Sequence, residues 1–550
     1  MIEYKLQTRP LSSLAKVFPQ RIFGKANRSA LAARGQKVSF QIAYRLQVQG
    51  YRQRDYRVKV VSELEEGITL SRVGLVPAEL PAYPTRCDAN YLTQKSGLFP
   101  DPLYPLQDLT VCAAKGIWRS LWVCVDVREE ATPKKYPITV EFYDPDGNLA
   151  AKQTYVIHVQ KALLPPQKTL FTQWFYCDCI ADVHGVEIYS EAHWSLIERY
   201  MKLAAEHGMS VILTPVVTPP LDTVVGGERP TVQLVEVEIT QQGYAFDFSK
   251  LHRFVSLAKK YGIRQFEISH LFTQWGAKFA PKVVAWENGE CRRIFGWETD
   301  ASDPKYVAFL TQLIPQLIDA FAALGVEREQ LWFHLSDEPH VDHLPQYRAS
   351  KAVLYPLIEG CHHIDALSDY EFYKDGLVET PVVGTNYLEP FLEAEIHDLW
   401  CYTCCSQCVD VSNRFFAMPS ARTRIIGVQM YRYGIKGFLQ WGYNFYNTQL
   451  SKKRIDPYSV TDAGAAFPAG DAFSVYPYED GAIPSLRQKV FANALEDIRL
   501  LELLEAKIGR VRTVEELDRL AGEPLTFKIY PRDEDFFQRL YQRVFALLEE

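Results

Sequence analysis

The sequence predicts a multidomain chain: an N-terminal β-sandwich, then a (β/α)8 barrel of the TIM type, then a short helical tail. Three observations predict it. Residues 1–165 hold alternating or β-branched runs, with a possible helix only at Leu11–Phe18. From about residue 166, amphipathic stretches closed by glycine alternate with short apolar runs, the sequence form of a parallel sheet. Counting those runs gives eight strands, the number that closes a barrel. A chain of 550 residues suits two or three domains, divided here as 1–165, 166–509 and 510–550.

In the first segment the runs are KVSFQIAYRLQV (37–48), YRVKVVSEL (56–64), SLWVCVDV (120–127) and YPITVEFY (136–143). YDPDGNLAA (143–151) reads as a hairpin, because Asp-Gly and Asn tolerate the positive φ of tight turns. Strands without intervening helices suggest a sandwich.

After LLPPQ (163–167) the period changes. TLFTQWFYCD (169–178) is the first barrel strand, with Cys177 and Cys179 alternating along it. The helix over 191–208 places Trp194, Ile197, Met201 and Ala204 on one stripe and stops at Gly208. SVILTPVV (210–217) is the second strand. The helix over 249–262 repeats the stripe with Leu251, Phe254, Ala258 and Tyr261. QFEISHL (265–271) is the third strand, the helix over 304–325 contains Pro315, which should kink it, and LWFHL (331–335) is the fourth strand. HIDALSD (363–369), TPVVGTN (380–386), LWCYTCC (399–405) and GFLQWGYN (437–444) supply the remaining four. A long helix over 484–509 completes the barrel, and 510–550 reads as two short helices.

Composition narrows the function. Hydrophobic residues are 47% and charged residues 23%, which excludes a largely disordered chain. The net charge of −7 and the absence of like-charge blocks give no sign of a nucleic-acid or membrane-surface partner. No apolar run approaches a membrane span, and MIEYKLQTRPLSSLAKVF lacks the apolar core of a secretory signal, so a cytoplasmic location is expected. The 11 cysteines, an odd number, suit free thiols in a reducing compartment. Aromatics reach 13% with 31 Tyr and 10 Trp, which suits sugar binding and a large core equally.

In a barrel of this kind chemistry sits at the C-terminal ends of the strands. The fourth strand delivers His334, Ser336, Asp337 and Glu338, with Pro339 ending it. Adjacent carboxylates at a barrel mouth repel each other, which raises at least one pKa and supplies a general acid. An ion-paired or exposed strand end is the competing reading, and the second Asp-Glu pair, Asp533–Glu534, reads as a solvated helix start. The seventh strand ends in Trp400-Cys401-Tyr402-Thr403-Cys404 and the eighth in Gln440-Trp441-Gly442-Tyr443-Asn444, neither with a carboxylate. A scarcity of acids among many aromatics favours a reaction whose substrate supplies its own nucleophile. His334, on the Glu338 face of a regular strand, is read as a hydrogen-bonded core histidine. CYTCCSQC (401–408) has the spacing of a four-cysteine zinc site, but all ligands fall in one short segment. Buried or rim thiols are the preferred reading, with no metal and no cofactor.

These residues resemble a known family. FDFSKLHRFVSLAKKYGIRQFEISHLFTQWGAKFAPK (246–282), HLSDEP (334–339), WCYTCC (400–405), FLQWGYN (438–444), DPYS (456–459), PAGDAFSVYP (468–477) and SLRQKVFANALEDIRLLELL (485–504) are similar to glycoside hydrolase family 123 and the broader "domain of unknown function 4091" proteins. DPLYPLQ (101–107) and SLWVCVDV fit the β-sandwich of that family. The resemblance covers roughly 95–505. It implies a retaining, exo-acting hydrolase of terminal β-linked N-acetylgalactosamine or a related N-acetylhexosamine. The 2-acetamido oxygen would attack the anomeric carbon and form an oxazoline. It implies that Asp337 orients and stabilises the acetamido group and that Glu338 acts as acid and then base. The partner expected is an oligosaccharide or glycoconjugate substrate. Two alternatives stand beside it: a non-catalytic carbohydrate-binding protein, and a two-carboxylate glycosidase acting on another sugar.

The substrate-binding set expected at the mouth is Trp174, Trp441 and Tyr443 stacking on the sugar, with Asp178, His270 and Asn444 bonding hydroxyls; core packing is the other reading for each. Tyr402 is expected on the wall opposite Asp337, holding the acetamido oxygen. Because side chains alternate along a strand, Asp337 and Glu338 should face opposite ways unless the chain twists after Ser336.

Overall fold

The computed structural model describes residues 3–50 and 52–550. The N-terminal region consists of two five-stranded sheets. One runs in the order Lys5–Ser12, Gln36–Gln47, Arg119–Val127, Ile68–Ala78 and Gly97–Pro105; the other runs Ser29–Arg34, Leu149–Leu163, Lys135–Tyr143, Gln53–Val61 and Thr110–Ala114. Alternation supplies the shared core. Phe40, Ile42 and Tyr44 from one sheet meet Ile138, Val140 and Phe142 from the other, all buried. Phe40 stacks on Tyr155 across the layers at 4.1 Å. The helix expected at Leu11–Phe18 is absent: that segment is strand (Lys5–Ser12), turn and a two-residue strand (Lys16–Val17). Pairing of Lys5–Ser12 with Gln36–Gln47 along its whole length outweighs the local helical spacing.

The second region is a nearly closed barrel of eight parallel strands. They are Leu170–Gln173, Val211–Thr214, Gln265–Ile268, Leu331–Phe333, His362–Leu367, Thr380–Gly384, Trp400–Thr403 and Gly437–Gln440. Seven fall inside their predicted runs and the fifth begins one residue before its run, at His362; all are shortened to the three to six residues that form ladder bonds. The seam between the first two strands is bridged by Ser210, whose N–H donates to the Phe171 carbonyl at 3.0 Å and whose hydroxyl accepts from the Phe171 N–H at 3.0 Å. Helices Glu191–Glu206, Ser249–Lys260, Pro304–Ala322, Ser420–Tyr433 and Leu486–Ile508 cover the outside. The stripe Trp194, Ile197, Met201 and Ala204 is buried, and the Pro304–Ala322 helix continues through Pro315. Gly427 lets two of these helices touch: a Cβ there would lie 2.0 Å from the Ala494 carbonyl oxygen.

One strand prediction is corrected. TLFTQWFYCD keeps its ladder only to Gln173, and Cys177 and Cys179 lie on the first turn of a helix, Cys177–His184. A small four-stranded sheet from Glu236–Thr240, Gly243–Asp247, Val283–Glu287 and Glu290–Phe295 is inserted around the third strand, unpredicted.

The tail forms helices Arg510–Ala521 and Asp535–Glu549. The second wedges against both regions: Tyr541 Oη accepts from Gln36 at 2.6 Å and donates to Asp497 at 2.7 Å. Glu534 is not merely solvated, since its carboxylate accepts from the Lys25 N–H at 2.8 Å and from Ser12. Buried ion pairing also joins sheet to barrel. Arg487 donates twice to Asp101 at 2.9 Å, and Lys16 donates to the Phe416 carbonyl at 2.6 Å. Among the described residues no helix is long and apolar enough to cross a membrane.

Candidate active site

A cavity of about 300 Å³ opens at the C-terminal ends of the barrel strands. Asp337 and Glu338 line it together with Trp174, Tyr402 and Trp441. The alternation problem is solved at one residue. Glu338 has φ of +41°, the left-handed region that a non-glycine residue rarely enters. That reversal ends the strand pattern and lets both neighbours reach one cavity. The turn is held from below: Asp365 accepts from the N–H groups of Leu335 at 3.1 Å and Ser336 at 3.3 Å. It is held from above by the Trp275 N–H, which donates to the Asp337 carbonyl at 3.0 Å.

Both carboxyl groups remain reachable from the cavity, while protein surrounds them on their other sides. Burial therefore raises the Asp337 pKa well above the ordinary aspartate value, and the nearby Glu338 raises it further. Burial also raises Glu338, opposed by the Tyr402 hydroxyl, which donates to its Oε1 at 2.5 Å. Two half-buried acids side by side cannot both ionise easily, so the pair holds a proton to higher pH than an isolated carboxyl would. Tyr402, expected to face Asp337, is instead the partner of Glu338.

The tryptophans are oriented by buried acids. The Trp174 indole donates to Glu267 at 2.6 Å, and the Trp441 indole donates to Asp471 at 2.9 Å. Each therefore presents ring surface, with its polar tip already satisfied.

Four predicted contacts lie outside the cavity lining. Asp178 forms a buried bidentate pair with Arg229, at 2.9 Å to Nε and 2.8 Å to Nη2. The guanidinium lies 4.7 Å from the centre of the Tyr176 ring, which does line the cavity. Asn444 clamps the backbone of the same residue, accepting from the Tyr176 N–H at 2.9 Å and donating to its carbonyl at 3.0 Å. Tyr443 stacks on Phe175 in the core, and its hydroxyl donates to the Tyr200 carbonyl at 3.0 Å. His270 is wholly buried, stacked on His334 at 4.2 Å. All four lie past a strand end, at Gln173, Ile268 or Gln440, where the chain turns and alternation no longer assigns faces. If Asp178 is structural, Asp178→Ala should cost about 3–5 kcal/mol by leaving Arg229 buried and unpaired. Chemical denaturation measures this, and a variant as stable as wild type would contradict it.

The expectation that acids are scarce is also corrected. Asp222, in the loop after the second strand, lines the cavity; burial raises its pKa to about 6. Its φ is +39°, and the Leu450 N–H donates to its Oδ2 at 3.0 Å. Gln274, Trp275, Leu450 and Phe467 complete much of the wall. Trp275, also at positive φ (+59°), is 43% exposed at the rim. Strain gathered at a cavity of this kind marks a functional site. Among the described residues no Lys, Arg or His lines the cavity.

All eleven cysteines are free thiols, and Cys404 and Cys405 join the cavity wall. Among the described residues the one group of three potential metal ligands within 4.8 Å is His270, His334 and Asp365. Its geometry does not suit a metal. The two imidazoles stack nearly parallel at 18°, so their in-plane lone pairs do not converge, and both nitrogens of His334 already face carboxylates.

No curated protein sequence matches the chain. Among solved structures, a family 123 glycoside hydrolase from Clostridium perfringens, described in terms of glycolipid glycan hydrolysis, superposes with a TM-score of 0.74 at 15% identity. The match covers 99% of this chain and 98% of that one, so the two share their fold from end to end. An endo-β-1,4-mannanase from Thermotoga petrophila aligns at TM-score 0.34 and 13% identity, over 61% of this chain and 77% of its own, too loosely to inform fold or activity. The sequence model for the catalytic domain of glycoside hydrolase 123 matches residues 174–504, more than half of the chain and the whole of the cavity, and the protein belongs to that family of glycoside hydrolases.

Proposed function

We propose that this glycoside hydrolase removes terminal β-linked N-acetylgalactosamine, or a related N-acetylhexosamine, with retention and through an oxazoline. The observation that carries the reading is the turn at Glu338, which delivers two adjacent carboxyl groups to one cavity. Glu338, whose pKa burial raises, gives its proton to the leaving oxygen. Asp337, as the carboxylate, accepts the acetamido N–H and stabilises the positive charge that grows as the acetamido oxygen attacks the anomeric carbon. Water then opens the oxazoline, with Glu338 as base. Tyr402 steers Glu338 by its hydroxyl, and Trp174, Trp441 and Tyr176 supply ring faces for the sugar.

The absence of basic side chains in the lining supports a neutral sugar. The Clostridium perfringens relative, described for glycolipid glycans, supports a glycoconjugate substrate. Free thiols throughout support the cytoplasmic location. Asp222 favours one competing reading, in which it serves as a protein nucleophile and the sugar needs no acetamide. A panel of aryl β-glycosides separates the readings. Turnover of the N-acetylgalactosaminide or N-acetylglucosaminide above the galactoside and glucoside is expected. Equal turnover of the 2-hydroxyl sugars would overturn the proposal in favour of a protein nucleophile, and tight binding by calorimetry without turnover would reduce the site to a binding one.

A further inference from the structure

Beneath the cavity floor lies a wholly buried chain of acid, histidine and acid. His334 Nε2 is 2.6 Å from Glu267 Oε1, and its Nδ1 is 3.2 Å from Asp365 Oδ1. The two acids hold the site from opposite sides. Glu267 also accepts from the Trp174 indole at 2.6 Å and from the Thr172 hydroxyl at 2.7 Å. Asp365 also accepts from the N–H groups of Leu335 and Ser336, the two residues just before Asp337, and from the Tyr347 hydroxyl. One network therefore grips both a sugar platform and the turn that carries the acid pair.

The bonding pattern fixes the charge of the imidazole. A carboxylate offers only acceptors, and a neutral imidazole has one N–H to give. With a carboxylate at each nitrogen, only the imidazolium satisfies both contacts. The same two anions outweigh burial and raise the His334 pKa to about 9.

Asp337, three residues on, has the opposite problem. The charged groups that act on it are Glu338, Asp365 and Asp222, all acids that favour its proton, and His334, which favours its ionisation. Arg229 is committed to Asp178, His270 is driven neutral by burial, and the cavity lining holds no cation.

We propose that His334 is a positioning residue: as an imidazolium bridging Glu267 and Asp365, it keeps Asp337 in the carboxylate form and locks the 335–338 turn and the Trp174 indole into one geometry. The inference rests on the substrate-assisted reading for the reason an anion is needed at Asp337, but its test does not depend on which sugar is cleaved. In wild type, kcat/KM should fall on the acidic side as Asp337 takes up a proton. Removing the cation in His334→Gln raises the Asp337 pKa, so that acidic limb should move to higher pH by about one to two units, the usual worth of a close buried charge. Activity lost at acidic pH should then recover in part as pH rises, which a merely misfolded or loosened site would not show. A limb that superposes on that of wild type would overturn the proposal. A second arm needs no turnover. Imidazole nitrogen NMR of the full chain, with the His334 signal assigned by its loss in His334→Gln, should show both nitrogens protonated through neutral pH. In Glu267→Gln, whose amide oxygen can still accept from Trp174 and Thr172, His334 should lose its proton at lower pH than in wild type. A neutral His334 at pH 7 in wild type would reject the proposal even if the glutamine variant at 334 fails to fold. Failure of the acetamide reading would instead appear in the wild-type sugar panel and leave these two arms standing.

Discussion

Glu338→Gln is expected to lower turnover by about 10²–10⁴-fold, the range that a positioned proton donor contributes. The amide keeps the size of the side chain and its bond from Tyr402, so folding and substrate affinity should change little. Substrates with acidic leaving groups need no proton at bond cleavage and should lose least in the glycosylation step. The alkaline limb of kcat, where wild-type Glu338 loses the proton that burial helps it keep, should disappear. Pre-steady-state rates across a leaving-group series measure all of this. Equal losses for good and poor leaving groups would remove Glu338 from the acid role.

Asp337→Asn should be nearly as damaging, about 10²–10³-fold, because it deletes a preorganised charge at the site where positive charge develops. Its signature differs from that of Glu338→Gln. The loss should be similar across leaving groups, since the acetamide attack is impaired whatever departs. Because partial burial and the neighbouring Glu338 raise the Asp337 pKa, its neutral replacement should not destabilise the fold above neutral pH. The sign follows from linkage: a carboxyl whose folded pKa is raised stabilises the protein below its unfolded pKa and loses that contribution as pH rises. An unfolding midpoint at pH 8 equal to or above that of wild type is expected, and a large fall there would mean that Asp337 is chiefly a structural anion. Tyr402→Phe should be milder, since it removes only the hydroxyl that steers Glu338.

The physics of short-range sequence pattern explains what could be read before the structure. All eight barrel strands were legible because each is an apolar run bounded by a helix that stops at glycine or by a turn. Asp337 and Glu338 were legible because they follow the fourth such run directly. Trp174, Tyr402 and Trp441 stood out as aromatics within one residue of a strand end. What lay beyond the strand ends was not legible. Asp178 needed knowledge of Arg229, 51 residues away, to be seen as half of an ion pair. Asp222 and Trp275 reach the cavity on loops latched to each other by Gln274, whose amide oxygen accepts from the Asp222 N–H at 2.6 Å and whose amide nitrogen donates to the Thr223 carbonyl at 3.0 Å. No period in the sequence announces such a latch. The Asp533–Glu534 pair shows the converse. Its spacing equals that of the acid pair, but it leads into a tail helix instead of ending a barrel strand, and Glu534 ties Ser12 and Lys25 to the tail.

The central claim is that the substrate's own acetamide is the nucleophile, and one rate series tests it most directly. Aryl glycosides bearing N-acetyl, N-fluoroacetyl, N-difluoroacetyl and N-trifluoroacetyl groups differ chiefly in how readily the amide oxygen donates electrons. If that oxygen attacks the anomeric carbon beside Asp337, kcat/KM should fall steeply with each added fluorine. A series that stays flat would contradict the account and place the nucleophile on the protein, with Asp222 the first residue to replace.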